Sequence, residues 1–541
     1  MSLGKEGKAS FFIIMIKEKI YLVIMVLFFS FFLFFSFFLN GNYFPWASYE
    51  NEKFSYFAYL SFVIYFILNN KRNIFFHISH ILIFLLLLLS VCLIGNYNFK
   101  QYYYLINIYL LNILVFALIL SAYYSDNKRI DLILLISIVL FLAGVISSIF
   151  CIYQWLGYGG EFFWLSPQFS ETRMAANLAQ PNHLATLILI SISSCIYFAS
   201  KYKQTLLIFF IPLMVFSLVL TQSRTVWVSF IFVYIIIIFK WSIVNFKTKY
   251  LLISLFPFYM LCNIFISKLG TTSVVERSTS GFTRFLMWAD FFEVLPHLSV
   301  WGVGWRNIEY YQFNFGSRSY EYFFSYHNIL LDLIVIFGFL GLFLFLFLFF
   351  QLFLVLKRID NTNDFIIFSM LLFIIVHSLL EYPLFYSYFL GIFITLYYFF
   401  SNKYLNEGKI IFSVSNNFFS IFILIFIILN FVYIQIFEKN RNFYRSAFIG
   451  KCIGSFSSQI EIFDEFNEME FLNCAENISH ENLYRFENLL LSRPSPNNIL
   501  KLIYVYHEVG YYDKRDSLLK RYNIKYYPKY TLDEILKRKF F

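Results

Sequence analysis

The stretch QTLLIFFIPLMVFSLVLTQSRTVWVSFIFVYIIIIFKWSIVNFKTK, residues 204–249, decides the fold. Two runs, 204–220 and 226–241, are almost wholly apolar, and only TQSRT at 221–225 separates them. As helices, such runs suit a hydrocarbon core of about 30 Å better than any water-solvated surface. Lys201 and Lys203 precede the pair, and Lys240, Lys247 and Lys249 follow it. Lysine gathers on the cytoplasmic side of membranes. The segment therefore reads as a membrane-crossing helical hairpin with its basic ends inside and the TQSRT turn outside.

The same pattern repeats along the chain. Apolar runs lie near 20–39, 54–69, 74–94, 102–124, 130–152, 183–200, 250–267, 326–356, 365–380, 384–400 and 410–436, besides the two above. They predict an all-α polytopic membrane protein with about thirteen transmembrane helices. Hydrophobic residues make up 60% of the chain and charged residues 14%, where a soluble protein has nearer a quarter charged. Lys5, Lys8, Lys17 and Lys19 precede the first run, which lacks a small-residue cleavage site and reads as a retained helix with a cytoplasmic N-terminus. The alternate loops then carry Lys71, Arg72, Lys128, Arg129, Lys357, Arg358, Lys403 and Lys409, while the opposite short loops offer Lys53, Lys100, Arg173 and Arg224. The net charge of +10 is thus spent on topology, and it implies no nucleic acid.

Two polar segments leave the membrane on its outer side. One is a large loop, 268–325, within the transmembrane domain of residues 1–436; the other is the tail, 437–541, that follows it. Within the tail, residues 493–528 read as helix, turn at Gly510, helix, then Pro528, like one tetratricopeptide-type hairpin. A single hairpin cannot bury its own face, so it is expected to dock on neighbouring helices. Cys92, Cys151, Cys195 and Cys262 fall in apolar runs as small core residues, and Cys452 and Cys474 share the external tail, where a disulfide is chemically allowed. No metal-ligand motif, P-loop or dinucleotide fingerprint is present in the sequence. No metal and no cofactor are expected.

Ionisable residues at the outer helix ends are the candidates for chemistry, because charge in a membrane is costly. Arg224 sits in the TQSRT turn; it either snorkels to headgroups or holds a diphosphate with its planar, permanently charged fork. His327 opens the run after the large loop, as a helix cap or as a general base, since an imidazole titrates near pH 6.5. Asp332 lies about 140° round the helix from it and is expected to pair with another helix. Arg284 is a loop arginine with a solvated alternative. Glu381 is expected either to pair with an arginine or to help hold the site, and Gln180, Asn182 and His183 are further site-lining candidates.

QPNHLATL at 180–187, TQSRTVW at 221–227, TRFLMW at 283–288, GVGWRN at 302–307, YHNILLD at 326–332 and HSLLEYPLFYSYFLG at 377–391 occur in that order. As a set they resemble the bacterial O-oligosaccharyltransferases, the pilin and protein glycosylation ligases of the O-antigen ligase superfamily. The resemblance implies a GT-C-like glycosyltransferase of the bacterial inner membrane. Its members move a preassembled glycan from undecaprenyl diphosphate to hydroxyls of an exported, pilin-like acceptor protein on the periplasmic face, without a metal. It further implies His327 as catalytic base and Arg224 and Arg284 as the donor-diphosphate cations. O-antigen ligation to lipid A-core, O-antigen polymerisation and, from another class, transport of lipid-linked glycans are the competing readings.

Overall fold

The computed structural model describes residues 20–21, 23–38, 48–69, 74–77, 101–124, 131–158, 164–165, 173–267, 282–304, 307–316, 323–405, 410–448, 480 and 483–538. The chain forms two compact units. The first comprises Met1–Ile81, Val115–Ser278 and Phe349–Leu424; the second comprises Leu82–Leu114, Thr279–Leu348 and Ile425–Phe541. Among the described residues, Leu132–Tyr158, Pro181–Lys201, Phe246–Ile266, Ile329–Arg358 and Asn417–Ile436 are long and apolar enough to cross a membrane. Shorter apolar helices cover Val23–Phe35, Leu111–Tyr124, Thr205–Thr221, Arg224–Phe239 and Thr362–Ser378. The protein is a multi-pass membrane protein.

The first unit is built around the helix Pro181–Lys201, whose residues from Asn182 to Phe198 are all buried. Leu132–Tyr153, Ile211–Thr221 and Thr362–Ser378 pack on it. Lipid tails are as apolar as leucine, so small and hydroxyl side chains hold membrane helices together better than further grease does. Ser191 Oγ donates to the Leu140 carbonyl at 2.6 Å, Ser193 and Ser369 share a hydrogen bond of 2.9 Å, and Ser217 Oγ donates to Ser148 O at 3.0 Å. At the basic end, Lys240 Nζ donates to the carbonyls of Lys357 and Ile359 at 2.7 and 3.0 Å. A lysine that marks topology thus also satisfies the end of a helix. Cys151 and Cys195 are buried here as expected; Cys92, Cys452 and Cys474 lie outside the described residues, and so does the disulfide reading.

Three span boundaries need correction. Ile74–His77 and Ile410–Val414 are strands, paired antiparallel with Ile74 opposite Val414 and Phe76 opposite Phe412. Hydropathy made both the starts of helices, because a short run of Ile and Phe suits either state and only pairing decides. The rest of the 74–94 run lies outside the described residues. The last run continues as one helix, Asn416–Phe448, twelve residues past the predicted end at 436. Hydropathy stops at the first charges, whereas a helix continues until a breaker, and no Gly or Pro occurs before Gly450.

In the second unit the large loop is partly helical, with Phe282–Val294 and Ile308–Phe315. Met287, Phe291, Val303, Ile308, Tyr326 and Val335 form its core. The helix Ile329–Arg358 breaks at Gly338 (φ 60°, ψ −137°). Phe339 N–H, which in an unbroken helix would bond to Val335 O, donates instead to Val300 O at 2.8 Å. Val335 O then accepts from Val303 N at 2.8 Å, and Ile336 O from Gly304 N at 3.1 Å. The loop 300–304 therefore satisfies the broken helix, which hydrocarbon could not do. Beyond the break, residues 339–358 still make about 30 Å of helix, enough for one crossing. The exposed rings of this helix begin there, with Phe339, Phe343, Phe349, Phe350 and Phe353.

The crossing depends on two glycines. A Cβ on Gly302 would lie 2.3 Å from Ile336 O, and one on Gly338 would lie 2.0 Å from Val300 O. Gly302 also has φ +86°, and a side chain there adds roughly 1–3 kcal/mol of backbone strain to the clash. Gly302→Ala is expected to lower the thermal unfolding midpoint of the detergent-purified protein clearly more than Gly510→Ala. Gly510 has φ +81° but nothing within 4 Å, so it reports the strain without the clash. Equal shifts in the two variants would show that the crossing is not under close-packing constraint.

The tail helices Leu483–Ser492, Pro496–Glu508 and Tyr512–Lys525 share one core with Phe313 of the helix Ile308–Phe315. The turn at Gly510 joins the second and third of them. Arg521 donates to Asn314, and its guanidinium lies over the Phe313 ring.

Candidate active-site residues

In the first unit, three helix ends supply one polar cluster. The helix Ile211–Thr221 is stopped by Gln222 in the left-handed region (φ 48°), and Ser223 is the N-cap residue of Arg224–Phe239. Ser223 does not cap with its side chain; its hydroxyl donates to Asn182 Oδ1 at 2.7 Å. Asn182 Oδ1 also accepts from Arg173 Nη2 at 2.9 Å, and Arg173 Nε donates to Thr221 O at 3.2 Å. Asn182 Nδ2 donates to Glu381 Oε1 at 2.8 Å. Asn182, Ser223 and Glu381 are buried, so each bond works without competition from water.

Gln180 is the cap of the central helix: its Oε1 accepts from His183 N at 2.7 Å, with Pro181 in the first turn. His183 is buried among the rings of His377, Tyr386 and Phe389. His377 Nδ1 is 2.7 Å from Thr186 Oγ1. The structure thus joins Asn182 to Glu381, and gives Gln180 a capping role and His183 a packing environment. Arg173, which the sequence marked only as an outer-loop cation, belongs to the cluster. Its position seven residues before QPNH was the available signal.

Arg224 is the first residue of its helix, whose first turn carries no acidic residue. Arg284, in the second unit, lies in the first turn of Phe282–Val294, where again no acidic residue is present. A helix N-terminus carries partial positive charge and disfavours a cation while favouring an anion. Each arginine therefore adds positive charge where the backbone already supplies it.

His327 belongs to the second unit and lies just before the helix Ile329–Arg358. Its backbone is left-handed, φ 55°, an uncommon state for any residue but glycine. Its amide donates to Ser325 Oγ at 2.9 Å, and its Nδ1 is 3.2 Å from Ser325 O. Asp332 does not reach to another helix as expected. Its Oδ2 accepts from Ser325 Oγ at 2.6 Å and its Oδ1 from Tyr326 N at 2.7 Å. The left-handed turn folds the incoming chain back over the first helical turn, which a helical projection cannot show. Trp288 Nε1 donates to Tyr326 O at 3.0 Å, tying the Arg284 helix to the backbone beside His327. Trp305 and Arg306 of the GVGWRN motif lie outside the described residues.

Residues 208–346 match the O-antigen ligase family, and residues 365–447 match the C-terminal region of the virulence factor membrane-bound polymerases. The chain is 30% identical to the ComP-specific O-oligosaccharyltransferase of Acinetobacter baylyi over 259 residues, 45% of this chain and 47% of that one. It is also 30% identical to the general O-oligosaccharyltransferase of the same organism over 308 residues, 53% of each chain. It spans about half the length of the curated relatives it matches. No solved structure matches it. The ligase match contains Arg224, Arg284 and His327 together, and on these findings the chain is similar to the O-antigen ligases and to O-oligosaccharyltransferases over about half its length.

Proposed function

We propose that this protein is an O-oligosaccharyltransferase. It takes a preassembled glycan from undecaprenyl diphosphate and joins it to a hydroxyl of an exported, pilin-like protein at the periplasmic face of the inner membrane. The observation that carries the reading is the match of residues 208–346 to the O-antigen ligases, which contains His327 and, each in the first turn of a helix, Arg224 and Arg284. A helix N-terminus favours an anion, and a diphosphate is the anion that this reaction releases.

The chemistry then follows. The acceptor oxygen attacks the anomeric carbon as the bond to the diphosphate oxygen breaks. His327 takes the hydroxyl proton. Arg224 and Arg284 neutralise charge developing on the diphosphate, which leaves as undecaprenyl diphosphate. The lysines on the alternate loops support a periplasmic site, since lysine gathers on the cytoplasmic side of membranes and the TQSRT turn falls between two lysine-bearing loops.

The match of residues 365–447 to a polymerase C-terminal region favours a second reading, in which the acceptor is another lipid-linked glycan. Purified protein given lipid-linked glycan with a pilin-type protein, a second lipid-linked glycan or lipid A-core separates them. Glycosylated protein is the expected product. Elongated lipid-linked glycan alone would make the enzyme a polymerase, and transfer to none of the three would overturn the enzymatic reading.

A further inference from the structure

We infer that Asp332 is a positioning residue that acts through Ser325 to fix the ring of His327 in the tautomer a base requires. The inference rests on the reading of His327 as the proton acceptor. Asp332 lies in the first turn of its helix, where a carboxylate is favoured by the helix N-terminus and can hold incoming backbone. Here it holds two groups, Ser325 Oγ at 2.6 Å and Tyr326 N at 2.7 Å. Both of its oxygens act as acceptors, so the Ser325 hydroxyl proton points to Asp332. The Ser325 oxygen is then left to accept the His327 amide at 2.9 Å. That bond holds His327 in its left-handed conformation, φ 55°.

The same turn brings His327 Nδ1 to 3.2 Å from Ser325 O. A carbonyl oxygen only accepts, so Nδ1 carries the proton in the neutral ring and the lone pair resides on Nε2. Asp332 thereby determines which nitrogen can receive the acceptor's proton, although it acts one residue removed from it. The clamp is closed from a second side by Trp288 Nε1 on Tyr326 O at 3.0 Å. Tyr326 itself is fully buried against Phe291. The loop can therefore respond to loss of Asp332 by changing the turn at 325–327 rather than by unfolding as a whole.

Asp332→Ala is expected to lower kcat by about 10²-fold, the scale of a misplaced reacting group, with KM for the lipid-linked donor little changed. Asp332→Asn keeps one acceptor oxygen and should fall between. Ser325→Ala removes the intermediary with a smaller change and should lower kcat in the same way. Thermal unfolding of each variant checks that it has folded. The deciding readout is the nitrogen NMR spectrum of histidine-labelled protein, with the His327 signal assigned by its loss in His327→Gln. The parent should show the Nδ1–H tautomer, and Ser325→Ala and Asp332→Ala a mixture. An Nε2–H ring in the parent, or an unchanged tautomer and kcat in both variants, would overturn the inference. An active His327→Gln enzyme would instead overturn the base reading, and the tautomer spectra would still decide whether Asp332 orients the ring.

Discussion

His327→Ala should lower the rate of glycan transfer by about 10²–10⁴-fold, the usual worth of general-base assistance, while the protein folds and binds donor. A base acts when neutral, so the parent's rate should fall as pH drops and the imidazole takes a proton. In His327→Ala this acidic limb should vanish along with the rate. His327→Gln separates two roles: glutamine offers a hydrogen bond to the acceptor hydroxyl but cannot take its proton. It should be nearly as inactive as alanine. The measurement is initial rate across pH 5 to 8 with lipid-linked glycan and acceptor protein at saturation. A His327→Gln enzyme with substantial activity and the parental pH profile would make His327 a structural turn residue. Its left-handed backbone would then be strain without catalytic purpose.

Arg224 carries the second large effect. Arg224→Ala should abolish transfer, because it removes charge from where the leaving diphosphate becomes more negative. Arg224→Lys is the sharper test. Lysine keeps the charge but replaces a planar fork by a single ammonium, which cannot hold two phosphate oxygens at once. Most of the activity should be lost in this variant too, with the protein still expressed in the membrane. If arginine chemistry alone answers the diphosphate, EDTA should leave the parental rate unchanged. Full activity of Arg224→Lys would mark Arg224 as a headgroup anchor. A strong response to EDTA would mean that a metal shares the work.

The division between what each source of information supplied has a physical basis. Membrane crossing is a property of residues one by one, summed over a fixed thickness of hydrocarbon, so it was legible in the chain alone. So were the TQSRT turn, because five polar residues between two apolar runs leave room only for a tight helix–helix connection, and the lysines that mark the loops. The tail hairpin was legible from Gly510 and Pro528 for the same local reason. Hydrogen-bond partners are different, since they depend on which distant segments approach one another. Asn182 and Glu381 are 199 residues apart, and no spacing rule joins them. Nor could periodicity show that Ile74–His77 pairs with Ile410–Val414, or that Gly302 meets the break at Gly338. Asp332 shows the limit at short range. A helical projection turns it away from His327, but the left-handed backbone at His327 (φ 55°) returns Ser325 and Tyr326 to its carboxylate. The sequence by itself determined that several helices are apolar enough to cross a membrane and which polar groups lie near their ends. Only the tertiary structure decided what each of those groups holds, because a buried polar atom is satisfied by whatever the fold brings within about 3 Å.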